Sequence, residues 1–187
     1  MALLPLHLLG SPVLRQQSAE VAKVTDETRR FIADLFETMD VAKGVGLAAN
    51  QVGQAIRVAV IDADGQRFAM VNPRIVAADG EVSGEEGCLS IPDVFADVNR
   101  AANVTVEALD REGNPFRLEA TGLTARAIQH EIDHLDGILF LDHLSVLKRS
   151  ILLKRYRKEH AGEPVIKETR AESEVGASSA PEAARRD

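Results

Sequence analysis

The chain has 187 residues, 45% of them apolar and 27% charged, with a formal net charge of -7. That length suits one ordinary domain around a single buried core, and the acidic balance argues against a surface built as a whole to bind DNA or an anionic membrane. A lone cysteine, Cys88, excludes an internal disulfide and with it a cross-linked secreted scaffold.

In chain order, the apolar first ten residues lack a basic start, are broken by Pro5 and His7, and are followed by no small-residue cleavage site. They do not read as a signal peptide, so a cytoplasmic protein is expected. No segment approaches the roughly 18–20 apolar residues needed to cross a bilayer. A first helix is expected over 25–43, capped by Thr25, with Asp26 and Glu27 in its first turn and Ile32, Leu35, Phe36 and Met39 on one face. Gly44 ends it, and a glycine-rich loop runs through Gly46 to Gln51.

Two hairpins follow. Residues 57–61 and 68–71 flank Asp64-Gly65, and residues 104–109 and 116–118 flank Glu112-Gly113-Asn114. Asp79-Gly80 marks another turn. Short strands joined by tight turns imply antiparallel pairing. A second helix is expected over 124–136, ended by Gly137, then a buried strand or turn over 138–141. A third helix, over 145–160, carries Lys148, Arg149, Lys154, Arg155, Arg157 and Lys158. The class is therefore α+β, with short antiparallel sheets packed around a central helix and further helices near each end. Residues 1–160 form the single domain. From Ala161 the composition turns to Glu, Ala, Ser, Arg and Pro without aromatics, and 161–187 is expected to be a disordered tail.

The central helix carries the sharpest chemical signal, His130-Glu131-Ile132-Asp133-His134. Histidines at i and i+4 share a helical face, so both imidazoles can reach one metal ion, and the intervening glutamate can move the protons of a reacting water. Burying two imidazoles and a carboxylate beside Leu123, Ala127 and Ile128 is costly unless a cation compensates. A third ligand is needed. Phe140 stands where one extended metalloprotease pattern requires a histidine, so that pattern fails. Asp142 and His143 remain downstream candidates, while Cys88 in Glu85-Glu86-Gly87-Cys88-Leu89-Ser90 is the better upstream one, since a thiolate with two imidazoles leaves one position open.

Three segments in this order resemble the peptide deformylase family: Gly44, Gly46, Ala48, Ala49 and Gln51; Glu86, Gly87, Cys88, Leu89 and Ser90; and Gln129, His130, Glu131, Asp133 and His134. The likeness extends to Gly10-Ser11-Pro12-Val13-Leu14-Arg15 and covers about residues 5–150. It implies hydrolysis of the formyl group from the N-terminal formyl-methionine of nascent bacterial chains, releasing formate. It implies that Cys88, His130 and His134 hold the metal, Fe2+ in cells, for which Ni2+, Co2+ or Zn2+ can substitute. Glu131 would take a proton from water and deliver it to the departing amine, while the Gln51 amide and the Leu89 N–H would hold the formyl oxygen. Val45, Gly46 and Gly87 would pair with the substrate backbone, and Leu123 and Ala127 would shape the methionine pocket. Asp133 is a second-sphere partner for a ligand histidine or a solvent-facing carboxylate. A monomer is expected, with the basic helix as a possible dock on the ribosome. Two other readings stay open on the residues alone. One is a zinc peptidase of another family with a different third ligand. The other is a structural clip closed by a fourth ligand, His143 or Asp133.

Overall fold

The structure is a computed structural model that describes residues 2–170. Its elements are β1 (Leu6–His7), α1 (Asp26–Val41), β2 (Gly46–Ala48), β3 (Val58–Ala63), β4 (Gln66–Asp79), β5 (Val82–Cys88), β6 (Ile91–Arg100), β7 (Asn103–Leu109), β8 (Pro115–Thr121), α2 (Gly122–Leu135), α3 (Val146–Glu159) and β9 (Ile166–Lys167). Five strands form an antiparallel sheet in the order β2-β3-β4-β7-β8, while β5-β6 and β1-β9 each form a separate two-stranded sheet. This is the α+β arrangement expected.

The large sheet is buried on both faces, as strand β3 makes plain. Ala59, Ile61 and Ala63 join α2 residues Ile128, Ile132 and Leu135 in one cluster. Val58 and Val60 join Ile32, Leu35 and Met39 of α1 in another. Side chains alternate along a strand, so α1 and α2 cover opposite faces. This explains why 57–61 reads as a continuous apolar run. A third cluster packs Ile91, Val94, Ala96 and Val98 of β6 against Leu139, Phe140, Leu141 and Tyr156, and fixes the β5-β6 hairpin beside α2.

Local chemistry sets the element ends. Thr25 and Thr28 cap α1 reciprocally, each side-chain oxygen accepting from the other's backbone N–H. In the β3-β4 turn, Asp64 and Gly65 both have positive φ (51° and 74°), as a tight two-residue hairpin requires. The same Asp64 carboxylate accepts from the N–H and hydroxyl of Thr124 at 2.9 and 3.2 Å. One turn residue thereby anchors the start of α2 to the sheet.

The structure departs from the sequence reading in two places. Residues 82–100 were given no strands, yet β5 and β6 form a long hairpin there, and the turn at Gly80 passes the chain from one sheet to another. Of the buried strand or turn expected over 138–141, the structure has the turn, a short 3-10 helix over Phe140–His143. Residues 161–170 are not disordered. Ile166–Lys167 pairs with Leu6–His7, Leu8 donates to the Val165 carbonyl at 2.7 Å, and the Thr169 hydroxyl donates to the Leu4 carbonyl at 2.7 Å. Unpaired backbone groups at the edge of β1 supply partners that a composition argument does not register. The remainder of the expected tail, 171–187, lies outside the described residues. No described helix is long and apolar enough to cross a membrane.

Candidate active site

Three elements converge beside α2. Helix α2 presents His130, Glu131 and His134, the end of β5 brings Cys88, and β2 with the turn after it brings Gly46 and Gln51. The ligand atoms of Cys88, His130 and His134 all lie within 4.8 Å of one another, and Cys88 Sγ is 3.2 Å from His134 Nε2. A tetrahedral site with ordinary metal–sulfur and metal–nitrogen bonds places its donors roughly 3.3–3.6 Å apart, so the donor set fits one ion. Among the described residues the group has three protein donors, which leaves an open position and supplies no fourth ligand for a structural clip.

The surroundings favour a cation. Burial opposes charge on His130, but hydrogen bonds with Cys88 and Glu86 and the negative charges of Cys88 and Glu131 raise its proton affinity well above the ordinary imidazole value. His134, buried and repelled by the charge of its neighbours His130, Arg100 and Arg15, is pushed well below it. Positive charge is therefore favoured beside Cys88 and Glu86, and a metal ion would supply it. His130 Nδ1 lies 3.0 Å from Glu86 Oε2, which orients the ring and leaves Nε2 for a metal. Asn50 donates to the His134 carbonyl and ties the end of α2 to the Gln51 turn.

Glu131 is 3% exposed, and its Oε2 has no hydrogen-bond partner among the described residues. Burial is the main cause that lifts its carboxyl to about 7, with the negative charges of Glu86 and Asp133 adding to it and His130 and Arg100 opposing. A carboxyl poised near neutrality can both take and return a proton. A Cβ on Gly46 would collide with the Glu131 carboxylate, so the glycine lets the acid lie directly against the β2 backbone. Gln51 is 1% exposed. Its Oε1 accepts from Ala48 N–H at 2.8 Å, which aims Nε2 toward Cys88 Sγ at 3.6 Å and Ser90 Oγ at 3.2 Å.

A cleft of about 590 Å3 opens onto these groups and is lined by Val45, Gly46, Gln51, Gly87, Cys88, Leu89, His130 and Glu131. Eight of the expected site residues thus share one opening, with His134 buried behind it. Leu123 and Ala127 do not line this cleft: Leu123 is half-exposed in the first turn of α2, and Ala127 is packed in the sheet-facing cluster. Asp133 bonds neither ligand histidine but Arg100 at 2.5 Å and His143 at 2.7 Å, and Asp142 pairs with Arg15. The two downstream ligand candidates are therefore engaged elsewhere.

Three features escaped the sequence reading. Glu86, almost fully buried, is held by Arg100 at 2.8 and 3.0 Å and by Arg126 at 2.7 Å. Burial works against its charge, yet its bonds to His130 and Arg100 hold its carboxyl well below the usual range. Arg100 falls on the inward register of β6 with Val94, Ala96 and Val98, and a charge at such a position signals a buried partner once the strand is recognised. Phe95 and the segment Lys167, Glu168, Thr169 and Arg170 also line the cleft.

Comparison with known proteins agrees with this geometry. A family model described as polypeptide deformylase matches residues 3–150. A peptide deformylase of Brucella suis biovar 1 (strain 1330) is 49% identical over 164 residues, 84% of this chain and 94% of the relative. One from Rhizobium meliloti (strain 1021) is 46% identical over 164 residues, with the same coverage. Among solved structures, a peptide deformylase from Legionella pneumophila superposes with a TM-score of 0.80 at 43% identity, covering 87% of this chain and all of that one. The peptide deformylase of Ehrlichia chaffeensis in complex with actinonin gives 0.82 at 36% identity, covering 86% and 99%. With the motifs, the donor geometry and these likenesses in agreement, the chain belongs to the peptide deformylase family.

Proposed function

We propose that this chain removes the formyl group from the N-terminal formyl-methionine of nascent polypeptides, as a monomer in the bacterial cytoplasm. The observation that carries the reading is the convergence, in one cleft, of a three-donor metal set with a buried carboxyl and an aimed side-chain amide. Cys88, His130 and His134 hold the metal, Fe2+ in cells and replaceable by Ni2+, Co2+ or Zn2+; when bound it polarises the reacting carbonyl and makes water a stronger nucleophile.

The chain's own residues do the rest. The substrate backbone pairs with Val45, Gly46 and Gly87 in the manner of an added strand. Gln51 Nε2 and the Leu89 N–H donate to the formyl oxygen as negative charge develops on it; each such donor is worth about 3 kcal/mol. Glu131 takes a proton as the water oxygen bonds to the formyl carbon, then passes it to the nitrogen as the C–N bond breaks, giving formate and a free amine. Leu123, Ala127, His130 and His134 recur on one face of α2 at helical spacing, and we assign Leu123 and Ala127 to the methionine wall adjoining the cleft.

Helix α3 has a single buried residue, Tyr156, and leaves its basic side chains outward. Arg149 pairs with Asp142, and Arg155 with Glu159. Lys148, Lys154, Arg157 and Lys158 have no ion pair among the described residues, which supports a dock on ribosomal RNA phosphates.

The decisive experiment is metal analysis of anaerobically purified protein with a parallel assay of formate release from formyl-Met-Ala-Ser. Expected are close to one metal per chain and turnover that stops on chelation. Metal-loaded protein without formate release would overturn the reading.

A further inference from the structure

Strand β6 alternates strictly from Asp93 onward. Val94, Ala96, Val98 and Arg100 point inward, whereas Asp93, Phe95, Asp97 and Asn99 point outward. Outward positions of a half-covered hairpin favour polar residues, and three of these four comply. Phe95 does not: it is 59% exposed, the one aromatic among the large exposed hydrophobics of the described residues.

An isolated exposed apolar side chain carries no message, but this one has a definite place. Phe95 lines the cleft, and its ring lies against the backbone of Gly87, where an added Cβ would sit 2.6 Å from Phe95 Cε1. Gly87 immediately precedes the metal ligand Cys88. Val45, 43% exposed, lines the same cleft from the residue just before β2. An aromatic face and an isopropyl group are thus presented to solvent beside the backbone groups assigned to hold the peptide.

Resting on the deformylase reading, we propose that Phe95, with Val45, forms an apolar subsite that selects hydrophobic side chains among the residues immediately following formyl-methionine. A peptide extended along Val45, Gly46 and Gly87 must carry its next side chains past this ring, because successive residues of a strand project to alternate sides within a few ångströms. An aliphatic or aromatic side chain there covers the exposed ring and is itself withdrawn from water. Asp93 and Asp97, the outward neighbours of Phe95, add a bias against acidic side chains at the same place.

The test measures kcat/KM for formyl-Met-Xaa-Ser and formyl-Met-Ala-Xaa peptides with Xaa as Leu, Ser or Asp. It compares the unaltered enzyme with Phe95→Ser, Phe95→Leu and Val82→Ser. Val82 is exposed on the same hairpin but away from the cleft, so Val82→Ser controls for general loss of surface apolarity. The unaltered enzyme should prefer Leu over Ser by about fivefold at one of the two positions. Phe95→Ser should bring that ratio close to one, mainly through KM, while Phe95→Leu and Val82→Ser should retain it. Phe95→Gln replaces the serine variant if that variant does not fold. A Leu-to-Ser ratio unchanged by loss of the ring, or no preference in the unaltered enzyme, overturns the subsite. Failure of the metal-loaded enzyme to deformylate any of these peptides removes the deformylase reading, and the subsite with it.

Discussion

Replacing Arg100 with leucine tests whether the buried charge network behind the metal ligands positions them. The Arg100 side chain is 5% exposed and contacts both oxygens of Glu86, at 2.8 and 3.0 Å, and one of Asp133, at 2.5 Å. Removing one partner of a buried ion pair costs about 3–5 kcal/mol, because the other charge stays behind without compensation. Here the lower end applies. Glu86 keeps Arg126 at 2.7 Å and His130 at 3.0 Å, and Asp133, at 18% side-chain exposure, keeps His143. A loss of about 3 kcal/mol in a domain of this size corresponds to a fall in Tm of roughly 6–12 °C. Because Glu86 orients the His130 ring, metal affinity should also fall about 10- to 100-fold.

The acid limb supplies an independent check. Glu86 has a folded carboxyl value below its unfolded one, so its contribution to stability is present above the unfolded value and is lost only as pH falls toward the folded one. Without Arg100 the folded value rises toward the unfolded one, and the Arg100→Leu protein should begin to unfold at a higher pH. Thermal melts of the Ni2+-loaded proteins, chelator competition and acid titration by circular dichroism would measure all three effects. A Tm within about 2 °C of the parent with unchanged metal affinity would refute the argument, since it cannot hold if Glu86 is equally well placed without its guanidinium.

The remaining expectations concern the chemistry and the charged helix. Glu131→Gln should keep its metal, because the donors are untouched, and lose about 10²–10⁴-fold in turnover of formyl-Met-Ala-Ser; full activity with full metal would remove its role. Cys88→Ala should lose stoichiometric metal, as two imidazoles make a poor site, while Cys88→Asp should retain some with altered reactivity; undiminished metal in the alanine variant would place the third ligand elsewhere. Changing Lys154, Arg155, Arg157 and Lys158 to Gln should abolish low-salt co-sedimentation with ribosomes and leave peptide turnover intact. Equal sedimentation of the two forms would exclude the docking role.

The candidate metal group was legible in the sequence where its geometry is local. Histidines at i and i+4 need only a helix to share a face, and α2 is a helix there. Cys88 could be proposed from its chemistry, but its distance to His134 depends on a hairpin that the sequence reading did not see. Strand β5, with Gly84, Glu85, Glu86 and Gly87 in succession, has little strand propensity of its own. Its strand form comes from pairing with β6 and from Arg126, which donates to the Val82, Gly84 and Val98 carbonyls. The same gap hid Arg100 and Phe95, whose meaning lies wholly in the inward and outward registers of β6. The segment after 160 was misread for a related reason: it buries little, and its order comes from backbone pairing with β1 that composition cannot reveal.

Charge balance around the site explains why these separate features belong together. Glu86, Glu131 and Asp133, with Cys88 as the thiolate that metal binding requires, are four anionic groups gathered about α2, and among the described residues Arg100 and Arg126 are the fixed cations in contact with them. A region this buried does not tolerate a surplus of two negative charges. One divalent ion held by the Cys88, His130 and His134 donors, with both imidazoles neutral, would offset it. Burial lifts the Glu131 carboxyl, with the charges of Glu86 and Asp133 adding to it, and bonds to Cys88 and Glu86 outweigh burial to raise the proton affinity of His130. The two arginines therefore do more than stabilise Glu86. They offset part of the negative charge gathered around the candidate metal group. A neutral residue in place of Arg100 deepens the surplus and strains the apo fold, and the affinity lost when Glu86 no longer holds the His130 ring outweighs the added pull on the ion. A neutral residue in place of Glu86 shrinks the surplus, weakening the pull on the ion while all three donors remain.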